Sequence, residues 1–278
     1  MLLSEARAVV ERAAQASTLG EALPILRELS LDDFGLVMFD PPAYRLEHLL
    51  PSMPSAEIQK RWMGRAGHGA LQLSLPFMRT LESLHARFRH RPLHGASILD
   101  YGSGWGRLLR LALYYSDPER LTGADAWEGS LDFARNLPMQ MIKVDTEPKA
   151  LNLGPVDVAY AFSVFTHLPQ EVARAVLNAL RGAAEKDALL VFTFCPIEQW
   201  ETIGPDWFKA VSREELKTQH KAKGYAYHPS PQLAKYGWAT MSHAYLERML
   251  EECGWKRMGF DGSLADPYQS IVAAQPIV

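Results

Sequence analysis

Cysteine is scarce in this chain: Cys195 and Cys253 are the only two in 278 residues, far apart and without neighbours at metal-ligand spacing. That scarcity excludes a disulfide-stapled secreted scaffold and a Cys/His zinc module, and fits a reduced compartment. No apolar run approaches the ~20 residues that span a bilayer. The opening Met-Leu-Leu-Ser-Glu-Ala-Arg lacks the basic start and apolar core of a secretory signal. A cytoplasmic location and no membrane partner are therefore expected. An excess of positive charge is missing too: 29 Lys and Arg face 32 Asp and Glu, for a net charge of −3. Such a balance gives no electrostatic footprint for nucleic acid. The basic run Arg87-Phe88-Arg89-His90-Arg91 reads as the solvated end of a helix, where cations suit the dipole. Internal repeats and low-complexity stretches are also absent. What remains is 47% hydrophobic, enough to bury the core of one large domain, or of one domain with an N-terminal extension.

The most informative stretch is residues 97–107, Ser-Ile-Leu-Asp-Tyr-Gly-Ser-Gly-Trp-Gly-Arg. Ile98 and Leu99 suit a buried strand, which runs into Gly102, Gly104 and Gly106, and a helix is predicted to start near Trp105. A tight strand-to-helix turn needs positive φ and lets a ligand approach the backbone, and glycine supplies both. A nicotinamide-dinucleotide fingerprint would carry its third glycine at 107, where Arg107 stands. A glycine turn without a pyrophosphate anchor points instead to a nucleoside with an amino-acid tail, S-adenosylmethionine.

Further runs follow. Leu121 to Asp125 reads as a second strand ending in an acid, placed to accept hydrogen bonds from ribose hydroxyls. Met139 to Val144 reads as a third, followed by Asp145 and Thr146, which suit an adenine amino group. A fourth covers Val156 to Phe162 and leads into Ser163-Val164-Phe165-Thr166-His167, and a fifth, Ala188 to Phe194, is continuously apolar. Five strand-like runs alternating with helix-like runs predict an α/β fold with a doubly wound, mostly parallel sheet and ligands at its carboxyl edge.

The segments ILDYGSGWGRLLRLA, LTGADAWEGSLDFAR and VDVAYAFSVFTHLPQEV together resemble class I S-adenosylmethionine-dependent methyltransferases over residues 96–195. The resemblance implies a seven-stranded Rossmann-like sheet, closed by a helix at Ser242 to Glu252 and strands at Trp255 to Phe260 and Ser270 to Ala274. It implies S-adenosylmethionine as cofactor and S-adenosylhomocysteine as product. It places Asp100, Tyr101, Gly102, Ser103, Gly104 and Gly106 at the methionine and ribose side and Asp125 on the ribose. Ala126 and Trp127 then lie against the adenine, with Asp145, Thr146 and Phe162 near the same ligand. The lead-in LPSMPSAEIQKRWMGRAG is similar to one in bacterial members that tailor sugars and natural products. By that likeness Arg61 and Trp62 fold over the amino-acid end of the cofactor, although the pattern departs at Arg65 and His68.

Upstream, residues 2–16 and 20–29 have helical spacing, and Phe34 to Phe39 suits a short strand before the proline-rich passage from Asp40 to Pro54. His68 to His90 reads as a long helix, broken or bent at Pro76. The chain divides into an N-terminal helical cap, 1–92, and a catalytic sheet domain, 93–278. The stretch 196–241 after the fifth strand is a long insertion of the kind that forms lids, rich in aromatics that include Trp200, Trp207, Phe208, Tyr236 and Trp238. Asp40-Pro41-Pro42-Ala43-Tyr44 is similar to the DPPY motif of amino-methyltransferases. Ala43 interrupts it, and the position after the fourth strand carries Ala161-Phe162-Ser163-Val164, so the passage reads as a proline-rich loop.

Methyl transfer to a hydroxyl benefits from a base near its working pH, which favours histidine. His167, after the fourth strand, is the first candidate, and His228 and His243 flank the insertion. The leading expectation is O-methylation of a small molecule, a sugar or natural product, with neither nucleic acid nor metal. The alternatives are N-methylation of an amine or amide and a non-catalytic cofactor-binding scaffold. The acceptor and the oligomeric state are not readable from the residues.

Overall fold

The computed structural model describes residues 3–202, 211–261 and 269–278. They form two compact units, Met1–Ala86 with Arg91–Lys143, and Arg87–His90 with Val144–Val278.

The first unit begins with helices α1 (Ser4–Ala13), α2 (Leu19–Leu26) and α3 (Leu31–Phe39). The third corrects the strand expected at Phe34 to Phe39. Ser30 caps it by accepting from the Asp33 N–H at 3.1 Å, and Leu31, Phe34, Val37 and Met38 all bury on helical spacing. A short apolar run is ambiguous by periodicity alone, and here the cap settles it. A 3-10 turn at Pro41–Tyr44 follows, then α4 (Ala56–Met63) and the long α5 (His68–Arg89), which runs through Pro76. Strands β1 (Ile98–Tyr101), β2 (Leu121–Asp125) and β3 (Gln140–Lys143) pair in parallel, with Ile98 opposite Leu121 and Thr122 opposite Gln140. Between them lie α6 (Arg107–Ala112) and α7 (Glu128–Ala134).

In the second unit β4 (Val156–Ala161) pairs in parallel with β5 (Ala184–Phe194). Helix α8 (Gln170–Ala183) joins them and buries Val172, Val176, Leu177 and Leu180 along one face. Full burial of each such side chain contributes about 1.5–3 kcal/mol. Within 196–241 the described residues form α9 (Gln199–Thr202), α10 (Arg213–Lys223) and a two-stranded sheet, β6 (Tyr225–Pro229) with β7 (Gly237–Met241). The stretch is therefore a small substructure rather than an extended loop. Its core is Trp200, Leu216 and Ala226, with Ile197, Val211 and Trp238 packed on it. Trp207 and Phe208 lie outside the described residues.

Helix α11 (His243–Glu252), capped by Ser242, precedes β8 (Trp255–Asp261) and β9 (Ser270–Pro276). Both strands are antiparallel, β9 to β5 and β8 to β9. The seven strands run in the order β3-β2-β1-β4-β5-β9-β8. The fold is the expected seven-stranded, mostly parallel α/β sheet with an antiparallel edge. Among the described residues no helix is long and apolar enough to cross a membrane.

The basic run at the end of α5 differs from expectation in one residue. Arg89 is buried, not solvated: its guanidinium lies 3.3 Å from Asp157 and 3.0 Å from Asp187, and donates to the Asp157 carbonyl at 3.2 Å.

Candidate functional site

The glycine turn of the first unit has the conformation that its sequence demands. Gly104 and Gly106 both hold positive φ, +56° and +77°. A side chain at Gly106 would come within 2.2 Å of Leu137, so only glycine fits there without displacing that core residue. The turn is fastened to the end of β2. Gly102 and Ser103 N–H groups donate to the Ala124 carbonyl at 2.7 and 3.1 Å. The Asp125 carboxylate accepts from Gly104 N–H through Oδ2 and from Trp127 N–H through Oδ1, both at 2.8 Å. Each carboxylate oxygen keeps lone-pair capacity for another donor. Asp125 thus organises the backbone of the turn and can still accept hydrogen bonds from a diol.

Tyr101 is buried at the end of β1, and its phenol is pushed well above the ordinary value by burial and by the Asp125 charge. It is therefore a neutral donor. Asp100 is buried beside it. Ser103 Oγ and Trp105 Nε1 are buried without a hydrogen-bond partner among the described residues. Two buried polar groups without partners at one turn are costly unless a ligand satisfies them. Lys143 at the end of β3 donates to the Ala126 carbonyl at 2.8 Å, which fixes the segment leading to Trp127.

An aromatic group stands against the turn. Trp62 of α4 lies 4.9 Å from Trp105 and 4.6 Å from Trp127, ring centre to ring centre, with Phe133 edge-on at 6.2 Å. A side chain on Gly104 would touch Trp62 at 3.6 Å. Trp127 is 54% exposed, whereas Trp105 is buried. Arg61, one residue away, pairs with Glu57 at 3.1 Å on the exposed face of α4. Trp105 and Phe133 complete this aromatic group; neither is among the residues that the sequence assigns to the ligand, and the signal for Trp105 was its place inside the glycine turn.

The second unit holds the histidine candidates. The His167 ring is half-buried, stacked on Tyr236 at 4.7 Å with only 12° between planes, and edge-on to Trp238 at 5.8 Å. Its Nδ1 lies 2.7 Å from the Gly237 carbonyl oxygen. A carbonyl can only accept, so Nδ1 carries the hydrogen and Nε2 presents a lone pair. Burial lowers its pKa below the ordinary value, partly offset by that hydrogen bond. The backbone repeats the tie, with Gly237 N–H donating to the His167 carbonyl at 2.9 Å and Ala239 N–H to that of Thr166 at 2.8 Å. His228 is buried on β6, with Nδ1 3.0 Å from the Pro229 carbonyl. His243 opens α11 and packs on Phe260 at 4.2 Å and Phe194 at 5.5 Å. Asp145 and Thr146 are exposed in the segment after β3, and Phe162 is half-buried just after β4. Next to Asp145 and Thr146, Glu147 forms an ion pair with Lys235 of the insertion.

Residues 99–192 match the family described as "Methyltransferase domain". A comparison with curated proteins finds no match. Among solved structures, an S-adenosylmethionine-dependent methyltransferase from Clostridium acetobutylicum shares 8% identity, covering 79% of this chain and 96% of that one, with a TM-score of 0.52. A protein from Pyrococcus horikoshii shares 13%, covering 72% and 89%, with a TM-score of 0.50. The magnesium protoporphyrin IX methyltransferase of Synechocystis, solved with S-adenosylhomocysteine, shares 19% identity, covering 74% and 85%, with a TM-score of 0.48. Residues 99–192 thus match a methyltransferase-domain family, and the fold is the class I fold of S-adenosylmethionine-dependent methyltransferases.

Proposed function

We propose that this methyltransferase of class I fold transfers the methyl group of S-adenosylmethionine to a hydroxyl of a small-molecule acceptor, a sugar or natural product. The observation that carries the cofactor reading is the positive-φ glycine turn bound through Gly104 N–H to Asp125. The buried, unpartnered Ser103 Oγ and Trp105 Nε1 fit the same group, because each offers a hydrogen bond that no described residue takes. In this reading Asp125 accepts from the ribose hydroxyls, Trp127 stacks on the adenine, and Trp62 of the 1–92 cap covers the ligand. Asp145, Thr146 and Phe162 are assigned to the cofactor by the family resemblance.

S-adenosylmethionine supplies a methyl group on a sulfonium, already a good leaving group. The protein's task is to align the acceptor oxygen and exclude water, which contributes on the order of 7–11 kcal/mol at best. His167 is proposed as the base. Its Nδ1 hydrogen is committed to Gly237, and burial keeps the ring neutral, so Nε2 is free to take the hydroxyl proton. His228 and His243 are the further candidates.

The test is calorimetric titration with S-adenosylmethionine, S-adenosylhomocysteine and NAD, on the wild type and on Asp125→Ala. Thermal unfolding serves as the control for folding. Saturable micromolar binding of the two sulfur nucleosides, absent for NAD and lost in the variant, is expected. A folded wild-type protein that binds neither nucleoside rules the reading out. With cofactor binding established, His167→Gln should lower kcat by roughly 10²–10⁴-fold on a hydroxyl acceptor. An unchanged kcat would remove His167 as base and favour an amine acceptor.

A further inference from the structure

The first unit also holds a cavity of about 360 Å³ that the cofactor reading does not use. It lies among the end of α3, the Pro41–Tyr44 turn, the residues around Met53 and the start of α5. Its size falls in the range of small-molecule sites, roughly 300–1,000 Å³. Phe39, Pro42, Met53 and Leu71 give it apolar walls.

The polar groups of the lining divide into two sets. Gln59 is engaged by the backbone: its Nε2 donates to the Pro54 carbonyl at 2.7 Å and its Oε1 accepts from Gly67 N–H at 2.9 Å. That pair of bonds fixes the wall. Asp40, Ser52 and His68 at the open rim and the half-buried Tyr44 also line the cavity, and Asp40, Tyr44 and His68 have no side-chain hydrogen bond or ion pair among the described residues. Asp40 and Tyr44 are near one another. The Tyr44 phenol is raised by burial and then by the charges of Asp40 and Asp33. No lysine or arginine lines the cavity. The buried Arg110 guanidinium lies outside the lining, and its Nη1 and Nη2 donate to the Met38 and Ser52 carbonyls at 3.2 Å each.

A cavity of this kind has one carboxylate, one phenol, one imidazole and no protein cation. A neutral or anionic ligand that filled it would cover Asp40 without pairing it, at a desolvation cost. A protonated amine would form a charge-assisted hydrogen bond instead. We propose that this cavity is a binding site for a small molecule that carries an ammonium group on an apolar body, with the ammonium on Asp40 and the body against Phe39, Pro42 and Met53. The Tyr44 hydroxyl and the His68 ring then serve as the flanking polar contacts. The site stands whether or not its ligand is methylated, and so is independent of the cofactor reading.

The experiment compares phenethylamine with 2-phenylethanol, which share a skeleton and differ in charge, by calorimetry on the full chain at neutral pH. Wild type, Asp40→Asn and Met53→Trp are measured, with circular dichroism and thermal midpoint as controls for folding. The amine is expected to bind at least tenfold more tightly than the alcohol. Asp40→Asn should erase that preference, and Met53→Trp, which fills the cavity, should abolish binding of both. Absence of saturable amine binding, equal binding of the two probes, or a preference that survives in Asp40→Asn would each overturn the proposal. Titration of the same samples with S-adenosylhomocysteine keeps failure of this site distinct from failure of the cofactor reading.

Discussion

The indole of Trp62 packs on that of Trp127, with centres 4.6 Å apart and planes tilted by 32°. One ring comes from α4 of the N-terminal helices and the other from the loop after β2, two residues past Asp125. The contact therefore joins a segment far upstream of the sheet to the residue assigned to the adenine. Aromatic–base stacking is worth about 1–3 kcal/mol, and an aromatic pair about 0.5–1.5 kcal/mol beyond its burial. Trp127→Ala should accordingly weaken S-adenosylhomocysteine binding roughly tenfold, at 1.4 kcal/mol per tenfold. Trp62→Ala should weaken it less, about threefold, because the Trp62–Trp127 contact is itself given up when a purine comes between or beside the rings. Calorimetry on both variants checks this. Unchanged affinity in Trp127→Ala would move the adenine elsewhere.

Arg89 predicts a stability effect. Its side chain is 1% exposed, facing Asp157 at 14% and Asp187 at 69%. Breaking a buried pair by removing one partner typically costs 3–5 kcal/mol, because the other charge is left uncompensated. Asp187 is well solvated, so Arg89→Leu belongs at the low end, about 3 kcal/mol, and Arg89→Lys at roughly half of that. Urea denaturation should show a lower midpoint at unchanged slope. A loss below 0.5 kcal/mol would mean that water already compensates Asp157.

Two histidines set a pH dependence. His167 and His220 both have pKa values lowered from the ordinary 6.5 by burial. His220 Nδ1 shares a hydrogen bond at 2.8 Å with the Thr240 hydroxyl, which also accepts from Trp200 Nε1 at 2.9 Å. The unfolded chain protonates these rings near pH 6.5, whereas the native protein does so only at lower pH. Between those values the unfolded state binds more protons, so stability rises with pH. The stability present above pH 6.5 is lost as the pH falls through the lowered native values. Urea midpoints from pH 7.5 to 5 should drop less steeply in His167→Gln and in His220→Gln than in the wild type. Parallel pH profiles for wild type and variants would contradict the burial of the neutral rings.

Much of the site's first half is readable from residues alone. Gly102, Gly104 and Gly106 stand where a left-handed turn needs them, and Asp125 ends β2 at a spacing that places it beside that turn. Those features are local: a strand, a turn and a short return. Phe34 to Phe39 misleads because a short run of five hydrophobic residues and one glycine satisfies strand and helix equally, and the Ser30 cap decides. Arg89 misleads because its solvation depends on Asp157 and Asp187, which are distant in sequence. His167 is readable as a residue in the turn after β4, but not as the partner of Gly237 and Tyr236.

The sequence by itself determined the succession of the five parallel strands, the glycine turn and the acid that fastens it, since these follow from backbone sterics and hydrophobic period within short windows. Only the tertiary structure decided that Trp62 lies on Trp127, that Arg89 is buried among acids, and that Asp40, Tyr44 and His68 line one cavity. Each of those joins segments separated by tens of residues, and burial and pairing across such separations depend on the packed chain, which no local pattern encodes.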